Sequence, residues 1–278
     1  MELSVKNKVC VVTGAAGVLC SAMVEALCES GAKVALLGRT LSKLESLKDA
    51  LASKGYNDTL AIAADVQNKE DLIKAKNNIE SEWGSVDILI NGAGGNHPDA
   101  TTKIENFESD TDSLEGSFFG IDVDAFSSVM DLNFKGTLLP SLVFSEGMVK
   151  NGNGSIINVS SMSAERPLTK VGAYSSSKAA VDNFTRWLSV HFAKKNVRVN
   201  AIAPGFFATN QNKFLLYQED GETLTDRGKK IINNTPMASF GDAQDLKGAT
   251  VFLASDAARF VTGIILPVDG GFSAYSGV

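Results

Sequence analysis

A chain of 278 residues with 44% hydrophobic and 21% charged content has an ordinary globular make-up, and one α/β domain reaches this length without division, so residues 1–278 are expected to form one domain. The formal net charge of −6 and a pI near 5.1 disfavour a broad polyanion-binding face and exclude nucleic acid as the expected partner. The N-terminal MELSVKNKVCVV lacks a signal-peptide pattern, and no segment approaches the roughly 18 uncharged apolar residues of a membrane span, so the reading is cytoplasmic, with no membrane partner.

Short Val/Ile/Leu-rich runs at 8–13, 33–37, 60–64, 86–91, 154–159, 197–201 and 264–268 predict seven strands separated by amphipathic helices. Continuously apolar strands between helices imply a parallel sheet covered on both faces and linked by right-handed crossovers, which is a doubly wound α/β fold. The first helix is predicted from about Val18 to Ser30, stopped by Gly31. After Ala173, residues Ala180, Phe184, Trp187, Leu188 and His191 recur at helical spacing and predict an apolar stripe. Cys10, Cys20 and Cys28 have neither a CxxC spacing nor a nearby His, so they read as small buried hydrophobes with no disulfide and no metal site. Segments 95–120 and 205–240, rich in polar and charged residues and Gly, break the alternation and are expected to cover a ligand.

Thr13-Gly14-Ala15-Ala16-Gly17-Val18-Leu19-Cys20 follows the first strand and opens the first helix. A glycine turn there lets backbone approach a pyrophosphate, and the free N–H groups and positive end of the helix at Gly14, Gly17, Val18 and Leu19 favour it. An acidic residue that would bind an adenosine ribose 2′-OH is missing from the end of the second strand, where Gly38 stands. Arg39 comes next, with a planar guanidinium suited to a 2′-phosphate, so NADP(H) is favoured and NAD(H) remains open.

Tyr174 and Lys178 are four residues apart, one helical turn, so a phenol and an amine share one face. A phenol needs a neighbouring positive charge to exchange protons near neutrality, and Lys178 supplies one. Ser161 lies 174 − 161 = 13 residues earlier, just past the fifth predicted strand, where a hydroxyl can polarise a carbonyl.

These motifs and their spacing, from Lys8 to Phe272, resemble the short-chain dehydrogenase/reductase family. The resemblance implies a Rossmann-type doubly wound, seven-stranded parallel sheet with helices on both faces, a single dinucleotide-binding and catalytic domain, and hydride transfer between a nicotinamide and a carbonyl or carbinol carbon. It implies Tyr174 as proton-transfer residue, Lys178 as its helper and ribose ligand, Ser161 as carbonyl polariser, and Asn133 of Asp131-Leu132-Asn133-Phe134-Lys135-Gly136 as holder of a relay water. Asp65 and Val66 resemble the family's adenine-contacting pair. Asn91-Gly92-Ala93-Gly94 resembles its NNAG string, with Gly92 in place of the second Asn. Pro204, Gly205 and Thr209 complete the cofactor set, and Asn200 and Asp269-Gly270-Gly271 are further matches. The glycine loop departs from TGxxxGxG, since Val18 and Cys20 stand where glycines are usual.

Within that family, Gly92 to Thr102 with the acidic stretch that follows resembles more narrowly the D-mannonate oxidoreductases, also called fructuronate reductases. A sugar acid implies polar and cationic partners, for which Asn96, His97, Arg166, Asn210, Lys213 and Ser161 are the candidates. Gluconate 5-dehydrogenases and 3-ketoacyl thioester reductases are alternatives. Phe206, Phe207, Phe214, Leu215 and Leu216 keep an apolar lipid or steroid substrate open, and a non-catalytic NADP(H) sensor is the alternative of another class. The resemblance also implies a homotetramer, with the helix bearing Trp187 and Phe192 able to pair with its symmetry mate.

Overall fold

A computed structural model describes residues 3–107, 114–208 and 216–277. Its seven strands are β1 (Val9–Thr13), β2 (Lys33–Gly38), β3 (Thr59–Ala63), β4 (Ile88–Asn91), β5 (Gly154–Val159), β6 (Val197–Pro204) and β7 (Ile265–Val268). They form one all-parallel sheet in the order β3-β2-β1-β4-β5-β6-β7. Helices α1 (Val18–Glu29), α2 (Leu41–Ser53), α3 (Lys69–Trp83), α4 (Val123–Met130), α5 (Gly136–Asn151), α6 (Gly172–Phe192), α7 (Asp226–Asn233) and α8 (Leu246–Ala254) occur along the chain. A π-helical turn, Asp131–Lys135, joins α4 to α5.

Side chains alternate across each strand, so β1 sends Cys10 and Val12 to one face and Val9 and Val11 to the other. The first face packs with Met23, Leu27, Leu246 and Leu253 of α1 and α8, and the second with Leu72, Ile79, Phe144 and Leu188 of α3, α5 and α6. Burial on both faces is why the central strands β1, β2 and β4 read as nearly unbroken apolar runs. All three cysteines are buried and free. Among the described residues no helix is long and apolar enough to cross a membrane.

Two expectations need correction. β6 runs three residues past the predicted end at Ala201, because Ala201 to Pro204 pair with β7. In α6 the buried face consists of Ser177, Lys178, Val181, Asp182, Thr185, Leu188 and Ser189, rotated from the predicted stripe, of which Trp187 is 58% exposed. The inner hydroxyls satisfy themselves on the preceding turn, Ser177 on Tyr174 O and Thr185 on Val181 O, so polar residues occupy positions that periodicity reserves for apolar ones.

The strand order reverses between β1 and β4, and an α/β sheet opens a crevice at the carboxyl ends of strands at such a point. Segment 95–120 leaves β4 beside this crevice through short 3-10 turns at Pro98–Ala100, Leu114–Gly116 and Phe118–Gly120. Segment 205–240 follows β6 and carries α7. Lys230 of α7 meets Glu105 at 2.5 Å, which ties the two segments together.

Candidate active site

A cleft of about 570 Å³ lies over the switch point. Its floor is nearly bare backbone. Gly14, Gly17, Val18 and Leu19 line it from the β1–α1 turn, and Gly92, Ala93, Gly94 and Gly95 from the end of β4. Gly14 takes φ +65°, and a Cβ there would stand 2.9 Å from Ala93 Cα, so the position needs glycine on both counts. Thr13 Oγ1 accepts from Gly92 N and Ala93 N at 3.0 and 3.2 Å and fixes the two loops together. No side chain caps the N-terminus of α1 at Gly17, which leaves its first amides for an anion.

Cys20 and Gly92, two departures from the family pattern, form a single contact. A Cβ built on Gly92 would lie 2.2 Å from Cys20 Sγ, so the sulfur fills the space a side chain at 92 would take. Burial pushes the Cys20 thiol up to about 11, and it stays neutral.

Arg39, Thr40 and Lys43 line one end of the cleft, with Asp65 and Val66 beside them. Lys43 escaped the sequence reading, although its place four residues after Arg39 in the first turn of α2 is a legible signal. Pro204 and Gly205 line the opposite wall with Phe206 and Phe207. Asn91 does not reach the cleft. Its amide is buried and donates to Ser141 Oγ at 3.0 Å and Asn158 Oδ1 at 2.8 Å, which pins β4 to its neighbours. Asn200 is likewise structural, bonded to Val261 O and Ile264 N. Asp269 holds the C-terminal turn through Gly271 N and Ser273. Thr209, Asn210, Lys213, Phe214 and Leu215 lie outside the described residues.

Ser161, Tyr174 and Lys178 converge at the far end of the cleft. Lys178 Nζ donates to Val159 O at 2.8 Å and sits 5.6 Å from the Tyr174 ring centre. Burial lowers the Lys178 ammonium to about 8, with Cys20 and Asp182 acting in the opposite direction. Burial raises the Tyr174 phenol above its usual range, and its hydrogen bond with Ser161 pulls it back. Ser161 also accepts from Ser163 N and Oγ at 3.2 and 3.0 Å.

Asn133 is fully buried, and both of its amide N–H groups are committed. Nδ2 donates to Gly95 O at 2.7 Å and Val129 O at 2.8 Å, while Oδ1 accepts from Gly95 N at 3.1 Å. It clamps the Gly94–Gly95 corner beside Lys178, and neither amide N–H is left for a water. A Cβ on Gly94 would fall 2.6 Å from Asn133 Oδ1 and 3.3 Å from Lys178 Nζ.

Among the described residues, the structure does not bring the substrate candidates Asn96, His97 and Arg166 to the cleft. Asn96 donates to Thr101 Oγ1, His97 Nδ1 accepts from Asp99 N, and Arg166 Nε donates to Ser273 O. Each satisfies its own loop or the C-terminal segment. Leu132, Phe206 and Phe207 supply the nearby apolar wall, and Leu216 is buried outside the cleft lining. No cluster of three metal-ligating side chains occurs among the described residues.

A nicotinamide dinucleotide fits this donor set: a cradle without side chains for the pyrophosphate, cations at one end, and a phenol, amine and hydroxyl at the other. Comparison with known proteins agrees. Residues 14–273 match the family model described as enoyl-(acyl carrier protein) reductase. The oxidoreductase UxuB of Bacillus subtilis is 50% identical over 98% of this chain and 97% of its own length. A 2-dehydro-3-deoxy-D-gluconate 5-dehydrogenase of Formosa agariphila is 34% identical over 98% of this chain and 95% of its own. A Haemophilus influenzae protein provisionally named D-mannonate oxidoreductase, solved with bound NAD, superimposes with TM-score 0.93 at 45% identity, covering 99% of this chain and 98% of its own. The chain belongs to the short-chain dehydrogenase/reductase family and is a nicotinamide-dependent oxidoreductase acting on CH–OH groups.

Proposed function

We propose that the protein interconverts a ketone and a secondary alcohol of a sugar acid, with D-fructuronate and D-mannonate as the first pair to test. The observation that carries the chemistry is the convergence of Ser161, Tyr174 and Lys178 at one end of a backbone-floored cleft. When bound, the nicotinamide supplies or accepts the hydride. Ser161 donates to the substrate oxygen as charge develops on it. Tyr174 delivers the proton to that oxygen in reduction and removes it in oxidation. Lys178, held on Val159 O, keeps a positive charge beside the phenol and holds the nicotinamide ribose.

Gly14, Gly17, Val18 and Leu19 would hold the pyrophosphate, with Gly92, Ala93, Pro204 and Gly205 along the dinucleotide and Asp65 and Val66 at the adenine. Arg39, with Lys43, favours a 2′-phosphate and hence NADP(H), and no carboxylate stands at Gly38 to prefer NAD(H). The sugar-acid assignment draws support from the Haemophilus and Formosa relatives. The apolar wall of Leu132, Phe206 and Phe207 favours a second reading, an acyl thioester or steroid ketone. Exposed Leu142, Trp187 and Val190 on α5 and α6 support self-association, for which a homotetramer is the assembly to test.

The test is initial rates on D-fructuronate, 5-ketogluconate and an acetoacetyl thioester with NADPH and with NADH. Oxidation of cofactor driven by fructuronate supports the first reading. Activity on the thioester alone transfers the assignment to the second, and no turnover on any of them discards the sugar-acid assignment.

A further inference from the structure

Three residues on one face of α6, Tyr174, Lys178 and Asp182, follow one another at intervals of four, one turn apart. They grip three consecutive residues at the end of β5: Lys178 donates to Val159 O, Asp182 accepts from Ser160 Oγ, and Tyr174 is hydrogen-bonded to Ser161. The first and third of these contacts belong to the catalytic set. The second involves a carboxylate only 7% exposed and a serine only 2% exposed, neither of which touches substrate in any reading above.

We propose that Asp182 is a positioning residue, which holds Ser160 and through it sets the Ser161 hydroxyl in register with Tyr174. The inference rests on the Ser161, Tyr174 and Lys178 reading and extends it. Ser160 is fixed from two sides, since its N–H donates to Ile202 O at 2.8 Å while its hydroxyl donates to Asp182. A residue anchored through backbone and side chain leaves its neighbour little freedom, and Ser161 is the next residue, in extended conformation at φ −163° and ψ 149°. The buried carboxylate costs desolvation, which raises its pKa. Ser160, Arg186 and Lys178 favour the charged form, and Glu165, from the turn after β5, opposes it. A carboxylate kept at that cost, one helical turn beyond the catalytic lysine and bonded to the serine before the catalytic one, has a positioning role that an apolar residue would not fill.

The variants Asp182→Leu, Asp182→Asn and Ser160→Ala test this. Asn keeps an acceptor for the Ser160 hydroxyl and loses the charge. Leu loses both, and Ser160→Ala removes only the donor. Assayed well below the Lys178 pKa of about 8, Asp182→Leu and Ser160→Ala lower kcat by about tenfold or more with the cofactor KM little changed, and Asp182→Asn returns most of it. Ultraviolet difference titration gives a readout that needs no substrate. The Tyr174 phenolate, isolated by subtracting Tyr174→Phe, ionises at higher pH in Asp182→Leu and Ser160→Ala, because the lowering effect of Ser161 is lost, and as in the wild type in Asp182→Asn. Wild-type ionisation in both Asp182→Leu and Ser160→Ala overturns the proposal, and so does an Asp182→Asn as impaired as Asp182→Leu. If Asp182→Leu does not fold, Ser160→Ala decides alone. A fully active Tyr174→Phe would instead remove the catalytic reading beneath it, so the two failures are distinguishable.

Discussion

The sulfur of Cys20 stands where a side chain at Gly92 would begin, 2.2 Å from the position of its Cβ. A side chain at position 92 therefore requires a residue smaller than cysteine at position 20. Gly92→Ala alone forces apart the loops that Thr13 clamps and weakens NAD(P)H binding by about tenfold, from about 1–3 kcal/mol of overpacking. Cys20→Ala alone has a small effect, and the double variant recovers part of the binding lost, since a Cβ at 92 would still stand 2.9 Å from Thr13 O. A thermodynamic cycle on cofactor affinity and on Tm measures the coupling, and additive effects would show that the two positions are independent.

Tyr174→Phe removes one hydroxyl and leaves the ring packed against Ala125, Val129 and Ala173. Turnover should fall by about a thousandfold or more while cofactor affinity and Tm stay near wild type. Stopped-flow hydride transfer and equilibrium fluorescence separate the two, and unchanged turnover would remove Tyr174 from the chemistry.

The Lys178 ammonium, lowered from 10.5 to about 8, carries a pH signature in both rate and stability. Ketone reduction should decline as pH rises through about 8, because the charge beside the phenol is lost there. Stability moves the other way. Between pH 8 and 10.5 the unfolded protein keeps a proton that the folded protein has released, so this group adds stability as pH rises through that window. Denaturant unfolding of wild type and Lys178→Met should show the wild type gaining relative to the variant across the same range. A constant difference would mean that the lysine titrates at its ordinary pKa in the fold.

Arg39 lines the cleft end opposite the catalytic residues. Arg39→Asp should cut kcat/KM with NADPH by about a hundredfold, through repulsion of the 2′-phosphate, and maintain or raise it with NADH. An equal change with both cofactors would place Arg39 outside the recognition of the ribose.

What the sequence made legible follows from what each residue answers to. Central strands buried on both faces are largely apolar, and the half-buried edge strands β3 and β7 are short apolar runs too, so all seven are readable, and the four-residue step from Tyr174 to Lys178 survives in any helix. The buried face of α6 was not readable, because Ser177, Asp182, Thr185 and Ser189 bury their hydroxyl and carboxylate groups against backbone or β5 partners that no linear pattern reveals. Asn96 and His97 were drawn to the substrate by their place after the cofactor loop, yet each spends its side chain on a turn of its own. Asn133 was found by its motif, and its bonds to Gly95 required the fold.

The π turn at Asp131–Lys135 makes the helical segment from α4 to α5 sensitive to length. It winds one more residue into a turn than an α-helix would. Deleting a single residue there would let the helix close regularly while α4 and α5 keep nearly their present orientation, because the wide turn already absorbs the extra residue. Val129 would keep its contact with Ala173 and Tyr174, but Asn133, inside the turn, would swing off the Gly95 corner. A shortening that makes the helix more regular would thus leave the two helices in place and unfasten the glycine corner that Asn133 holds beside Lys178.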